Sequence, residues 1–239
     1  MRDLTKFKDG LAFIGVELSD TQIQQFLDYY EMLVEKNKVM NLTAITEFDE
    51  VVEKHFIDSL MLAKVWDLKD GMTVIDLGTG AGFPGIPLKI AFPGLNIVLA
   101  DSLNKRIKFL DEVIEAVGLH NIETVHGRAE DLGRNPKYRE KFDVCVSRAV
   151  ANMSTLSEYC LPFVKVGGYF ISYKSGSVDE ELAQAENALK LLSGKVEDCK
   201  KMMLPGTDIG RSFVFVKKTS EMKKKFPRKA GTPTEEPLK

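Results

Sequence analysis

The stretch VIDLGTGAGFPGIP, residues 74–87, sets an acid, Asp76, two positions before the first of four closely spaced glycines, Gly78, Gly80, Gly82 and Gly85. Glycines at this density let backbone approach a ligand closely. Gly80, Gly82 and Gly85 satisfy the G-x-G-x-x-G spacing of a dinucleotide loop. The fuller pattern, however, is D-x-G-x-G-x-G, with the loop already begun at Gly78. An acid at the end of the preceding strand is poor company for a pyrophosphate and suits a ligand bearing an ammonium or sulfonium group. A second acid, Asp101, closes the run NIVLAD, 23 residues after Gly78. A carboxylate there can accept hydrogen bonds from both hydroxyls of a ribose. Beyond the next β-rich run, the backbone at Ala129 and Glu130 can meet the edge of an adenine. A cationic group, a ribose and a base, with no phosphate, describe S-adenosyl-L-methionine. Ordinary loop glycines beside surface acids are the plainer alternative.

The elements that must hold these residues can be read around them. From residue 69 onward short β-rich runs alternate with helical patterns. The runs are MTVIDL (72–77), NIVLAD (96–101), IETVHG (122–127), FDVCVS (142–147) and GYFISYK (168–174), with helices near 84–91, 103–118, 153–161 and 178–193. This alternation predicts right-handed βαβ units and an α/β, doubly wound, mostly parallel sheet with ligands at the C-terminal strand ends. Two last strands, near 196–203 and 211–217, are joined by PGTDIG with no room for a helix, which predicts an antiparallel hairpin at the sheet edge. Residues 1–68 read as an N-terminal helical extension. Ser19 is a candidate N-cap, and Ile23, Phe26, Leu27, Tyr30, Leu33 and Val34 share one apolar helix face. NLTAIT (41–46) breaks that pattern before a second helix. The expected domains are therefore 1–68, a ligand-binding domain over 69–218, and a basic tail over 219–239 whose proline, glycine and low apolar content predict an extended or flexible segment.

Composition narrows the class. The 239 residues are 44% hydrophobic and 28% charged, ordinary for a soluble globular chain. Apolar runs fall far short of the ~20 residues of a membrane span. The opening MRDLTKFKDG lacks the apolar core of a signal peptide, so a cytoplasmic location is expected. Cys145, Cys160 and Cys199 are widely spaced with no CxxC, which favours reduced thiols and argues against a metal site. The net charge of −2 conceals +6 between Lys217 and Lys229, against −7 on the chain before it. A cationic tail on an acidic body fits either a polyanionic partner or a solvated terminus.

Several motifs in order, NLTAIT, KHFIDSL, DLGTGAGFPGIP, DSLNKRIKFL, GRAEDL, SRAV and the late PRKAGTP, resemble the glucose-inhibited division protein B family, the 16S rRNA guanine-N7 methyltransferases, over almost the whole chain. The resemblance implies a class I methyltransferase fold, Rossmann-like, with a helical N-terminal extension. It also implies methyl transfer from S-adenosyl-L-methionine to N7 of one guanine, position 527 in the family. Cofactor contacts then fall on Gly78, Phe83, Ala129, Glu130 and Arg148, and Asp101 matches the acid expected at the ribose.

Within that reading the absence of a general base is intelligible. Guanine N7 offers a lone pair and carries no proton, so positioning and electrostatics can suffice. Instead of [DN]-P-P-[FY], the fourth strand runs into Ser147-Arg148-Ala149-Val150. Arg148 is the residue best suited to position substrate, through guanine O6 or a phosphate; the alternative is that it only braces the cofactor pocket. His55 shares a helix face with Asp58 and, with Asn41, forms a candidate polar cluster over the pocket. A purely structural histidine is the duller reading. Candidate RNA contacts are Asn41, Arg106, Arg128, Lys174, Arg211, Lys223, Lys224, Lys225, Arg228 and Lys229. The partner is 16S rRNA or the small ribosomal subunit, and the chain is expected to be a monomer. Removing the tail after Lys218 is expected to leave the fold and cofactor binding intact. Competing readings are a methyltransferase for a small molecule or protein, a nicotinamide-dependent oxidoreductase using Gly80–Gly85, and a non-catalytic RNA-binding assembly factor.

Overall fold

The computed structural model describes residues 2–148 and 151–238. Helix α1 (Thr5–Ile14) ends at Gly15, and α2 (Asp20–Met40) begins with a capping box in which Ser19 and Gln22 satisfy each other's backbone N–H groups. Helix α2 stops at Asn41, which takes a left-handed conformation at φ 50°. A continuous helical stretch then runs through α3 (Phe48–Val51), a π-helical segment (Val52–Ile57), α4 (Asp58–Leu60) and a 3₁₀ turn (Met61–Lys64). The π segment sits where functional side chains are needed, a common use of that geometry.

Strands β1 (Thr73–Leu77), β2 (Asn96–Asp101), β3 (Ile122–His126), β4 (Phe142–Arg148) and β5 (Val164–Ser175) pair in parallel. Strand β7 (Gly210–Lys218) runs antiparallel to β5, and β6 (Gly194–Met203) pairs antiparallel to β7 at the edge. Among the described residues the sheet has seven strands in the order β3-β2-β1-β4-β5-β7-β6. The order reverses between β1 and β4, the switch point where open α/β sheets bind ligands. The connecting helices are α5 (Gly85–Ala91), α6 (Asn104–Val117), α7 (Ala129–Leu132), α8 (Met153–Cys160) and α9 (Asp179–Leu191), with α10 (Thr232–Glu235) near the end. Sequence periodicity missed α7 and α10 because each is a single turn of four residues, too short to show a 3.6-residue repeat.

Alternation along the strands feeds two cores. Val74, Val146, Ile171, Phe213 and Phe215 pack on the face that carries α1, α2, α5 and α6; Ile75, Cys145, Phe170, Val214 and Val216 pack on the face that carries α8 and α9. The helical extension is therefore part of the first core. Its Phe7, Phe26 and Phe56 form an aromatic cluster with centroids 4.9–6.1 Å apart.

The tail expected to be flexible is packed instead. Met222 and Phe226 are buried in the second core. Arg228 meets Glu158, which is wholly buried, through its guanidinium at 2.7–3.0 Å and its backbone N–H at 2.7 Å. Two apolar side chains four residues apart and one buried counter-charge outweigh the polar composition of the segment. The run of seven cations is also less exposed than it reads. Lys218 is fully buried against Glu140 at 3.0 Å, and its pKa is lowered by burial.

Candidate functional site

The C-terminal ends of β1, β2 and β4 and the loops after β1, β2 and β3 enclose a cavity of about 740 Å³, within the size range of small-ligand sites. Gly78, Gly80 and Phe83 contribute from the glycine loop, Asp101 and Arg106 from the end of β2 and the start of α6, Arg128, Ala129 and Glu130 from the turn after β3, and Arg148 from β4. His55, Leu42 and Thr43 close it from the helical extension, and Tyr159, Gly231 and Thr234 from α8 and the tail. The sequence separations range over most of the chain, yet the switch-point topology brings these residues together.

The glycine loop is built by close approach. A Cβ on Gly85 would lie 2.3 Å from Leu99 Cδ2 and 2.9 Å from Asp76 Oδ2. Gly82, at φ 107°, would meet Ile86 at 2.6 Å and the Tyr29 hydroxyl at 2.9 Å. That hydroxyl donates to Ala81 O at 2.6 Å, fixing the loop from α2.

Asp76 does not line the cavity, which corrects its expected contact with the ligand's cationic group. The pleat puts it on the same face as Val74, beneath the loop. Its Oδ2 accepts from Thr79 Oγ1 at 2.7 Å and Gly85 N at 2.8 Å, while Oδ1 is buried without a partner. Burial pushes its pKa up to about 6, opposed by those two hydrogen bonds. Asp76 shapes the loop. Asp101 is the acid at the cavity: Oδ1 accepts from Leu103 N at 2.8 Å, and Oδ2 from Gly80 N at 3.0 Å and Arg106 Nη1 at 3.2 Å. Glu130 Oε1 accepts from Gly231 N at 2.8 Å.

The opposite end of the site is organised around Arg148. Its Nη1 donates to Asp58 Oδ2 at 3.0 Å and Lys54 O at 3.2 Å, and its guanidinium lies 5.1 Å from the Phe83 ring centroid. His55 stacks on Phe83 at 4.5 Å; its Nδ1 lies 3.1 Å from Lys54 O and 3.3 Å from Arg148 Nη2, and its Nε2 lies 2.8 Å from Thr43 Oγ1. Burial, then the charge of Arg148, lowers the His55 pKa to about 4. The expected His55–Asp58–Asn41 cluster is thus corrected. His55 meets Thr43, Asp58 meets Arg148 and Arg211, and Asn41 is an exposed helix cap outside the cavity.

Among the candidate RNA contacts four are already engaged inside the protein, Arg106 through its ion pair with Asp101. Lys174 binds Glu181 and Ala151 O, each at 2.6 Å; Arg211 Nε binds Asp58 Oδ1 at 2.7 Å; Arg228 binds Glu158. A phosphate would have to displace buried or half-buried carboxylates to reach them. Asn41, Arg128, Lys223, Lys224, Lys225 and Lys229 are exposed, and Arg106 is half-buried at the cavity mouth. Ala149 and Val150, read with Arg148 as the segment after β4, lie outside the described residues. Sequence reasoning missed Thr43, Tyr159, Gly231 and Thr234. Only the family motifs NLTAIT, which contains Thr43, and PRKAGTP, which contains Gly231, carried any signal. Among the described residues no three His, Cys, Asp or Glu side chains form a metal-binding group, and no helix is long and apolar enough to cross a membrane.

The cavity fits the cofactor read from the sequence. It offers a buried carboxylate pinned by backbone at the end of β2, with glycine backbone beside it. Comparison with known proteins agrees. Residues 22–209 match the family model described as rRNA small subunit methyltransferase G. A protein of Lachnoclostridium phytofermentans named ribosomal RNA small subunit methyltransferase G is 55% identical over 238 residues, covering 100% of this chain and 98% of its own length. Its namesake in an Exiguobacterium species is 52% identical, covering 98% of both chains. The fold is also that of the 16S rRNA (adenine(1408)-N(1))-methyltransferase from Catenulisporales acidiphilia, with a TM-score of 0.53 at 14% identity over 64% of this chain and 87% of that one. With a family model matched along most of its length and half-identical relatives spanning nearly all of it, this chain belongs to the rRNA small subunit methyltransferase G family.

Proposed function

We propose that this protein methylates N7 of one guanine in 16S rRNA, guanine 527 by the family pattern, with naked rRNA or the small ribosomal subunit as substrate and a single chain as the working unit. The coarser statement rests on family membership: the protein is an S-adenosyl-L-methionine-dependent methyltransferase of small-subunit rRNA. When bound, the cofactor supplies an electrophilic methyl group on a sulfonium. Gly78, Gly80 and the carboxylate of Asp101 would hold it, with Ala129 and Glu130 at its base. The observation that carries the N7 reading is the state of the groups around the cavity. His55 is neutral, weakly basic and engaged at both nitrogens, and Asp101 and Glu130 are tied to backbone N–H groups. None is poised to take a proton, and guanine N7 has none to give. Arg148, aimed by Asp58 and lying over Phe83, then orients the base or its phosphate.

The deciding experiment is methyl transfer from labelled S-adenosyl-L-methionine to small subunits lacking the modification, with the product nucleoside identified by mass spectrometry. The expected product is 7-methylguanosine at one site; methyl on an exocyclic amine, or none, rejects the N7 reading.

Two further expectations concern single residues. Asp101→Ala leaves Gly80 N and Leu103 N without their acceptor and removes the candidate ribose contact. It should weaken S-adenosylhomocysteine binding by about 1–3 kcal/mol in calorimetry. Unchanged affinity removes Asp101 from the site. His55 should give the rate no limb near its ordinary pKa of about 6.5. It also makes stability depend on pH. The folded value, about 4, lies below the unfolded one, so the His55 contribution is present above pH ~6.5 and is lost as pH falls toward 4. Asp76, raised to about 6, acts oppositely, stabilising the fold at low pH and losing that contribution as pH rises through 6. In His55→Gln the Asp76 slope is left unopposed. Urea midpoints of that variant should fall, relative to the parent, between about pH 4 and pH 7; parallel curves contradict the assignment.

A further inference from the structure

The wall of the cofactor cavity beside Glu130 comes from a segment about a hundred residues further along the chain. Gly231 and Thr234 line the cavity together with Tyr159, and the Thr234 and Tyr159 hydroxyls lie 2.6 Å apart. The segment is tied down on both sides of Gly231. Before it, Arg228 is locked to the buried Glu158, and Arg134 Nε donates to Pro227 O at 2.9 Å. After it, Pro233 O accepts from Thr155 Oγ1 at 2.9 Å. Between these ties, Gly231 N reaches Glu130 Oε1 at 2.8 Å.

We propose that residues 228–235 form a strap that belongs to the cofactor site, with Gly231 as a positioning residue for Glu130 and Thr234 as part of the wall around the adenosine half. This rests on reading the cavity as the cofactor site, with the base at the turn after β3. The physical case is preorganisation. A glutamate held by a backbone N–H keeps one orientation before ligand arrives, so that ordering cost does not fall on binding. A wall residue also removes apolar ligand surface from water. The basic character that drew attention to this segment is a separate matter, since the atoms facing the cavity are a backbone N–H and a neutral hydroxyl.

The test is equilibrium binding of two probes, S-adenosylhomocysteine and adenosine, to three proteins. These are the full chain, a chain lacking residues 231–239, and Thr234→Trp. The truncated chain keeps Met222, Phe226 and the Arg228–Glu158 pair, and gives up the ties of Pro233 O to Thr155 and of Glu236 O to Arg228. Thr234 is exposed and lines the cavity, so a tryptophan there adds bulk at the wall without entering the core. Both variants are expected to bind both probes at least about tenfold more weakly, with the melting temperature of Thr234→Trp unchanged. Parent-like affinity in the truncated chain overturns the strap, and parent-like affinity in Thr234→Trp overturns the role of Thr234. Should the truncated chain fail to fold, Thr234→Trp decides alone. A full chain that binds neither probe fails the reading of the cavity itself, a result separable from failure of the strap.

Discussion

Asp58→Ala is expected to lower folding stability by about 3–5 kcal/mol, the scale for breaking a buried charge cluster from its centre. Asp58 is 2% exposed and carries one guanidinium on each oxygen, Arg148 at 3.0 Å and Arg211 at 2.7 Å. It joins the helical extension to the ends of β4 and β7, and next to it the Tyr173 hydroxyl donates to Ser59 O at 3.0 Å. Without the carboxylate, two largely buried cations face each other with no counter-charge. The loss would be a large part of the ~5–15 kcal/mol that holds a typical domain. Urea unfolding measures it, and Arg211→Met provides the scale: with the Arg148 pair intact it should lose much less. Equal losses in the two variants would show that the Arg148 pair adds nothing beyond that of Arg211, and no loss in Asp58→Ala would show that the cluster contributes no net stability. The same substitution frees Arg148, so methyl transfer should fall even under conditions where the variant remains folded.

Arg228→Ala should be nearly as damaging, about 3 kcal/mol. Glu158 would be left fully buried with the backbone N–H of residue 228 as its remaining partner from that residue. Urea midpoints should fall well below those of the parent, and limited proteolysis should cut within 219–238. A variant with parent-like midpoints and an uncut tail would show that Met222 and Phe226 hold the segment without the ion pair.

The sheet was legible because each strand is a short β-rich run and each helix of the 69–193 region other than α7 is long enough to show its period. The hairpin followed from a six-residue link. The glycine loop and Asp101 were legible because topology puts strand ends at the ligand. Asp76 was misread for a physical reason: the acid of the glycine motif identifies the loop, but strand alternation decides which way its carboxylate points. The free cations were overcounted because sequence shows a charge without its partner. Lys174, Arg211 and Arg228 each have a carboxylate supplied by a distant element. The tail was misread for the same cause in reverse, since Glu158, the counter-charge that recruits it, lies 70 residues before Arg228. The expectation that the chain cut after Lys218 folds and binds cofactor is the one the strap proposal opposes, since Gly231 and Thr234 line the cavity.

The tie between Gly231 and Glu130 also bears on how the protein is made. Domains fold as units while the chain emerges during synthesis. The glycine loop, Asp101 and Glu130 are all translated before Gly231, and until it arrives Glu130 has no backbone donor on that side. A nascent chain can therefore assemble its parallel sheet and still leave the pocket without one wall. On the strap proposal, tightening of cofactor binding marks completion of the strap, and a cofactor analogue added to stalled nascent chains would report when residue 234 has docked.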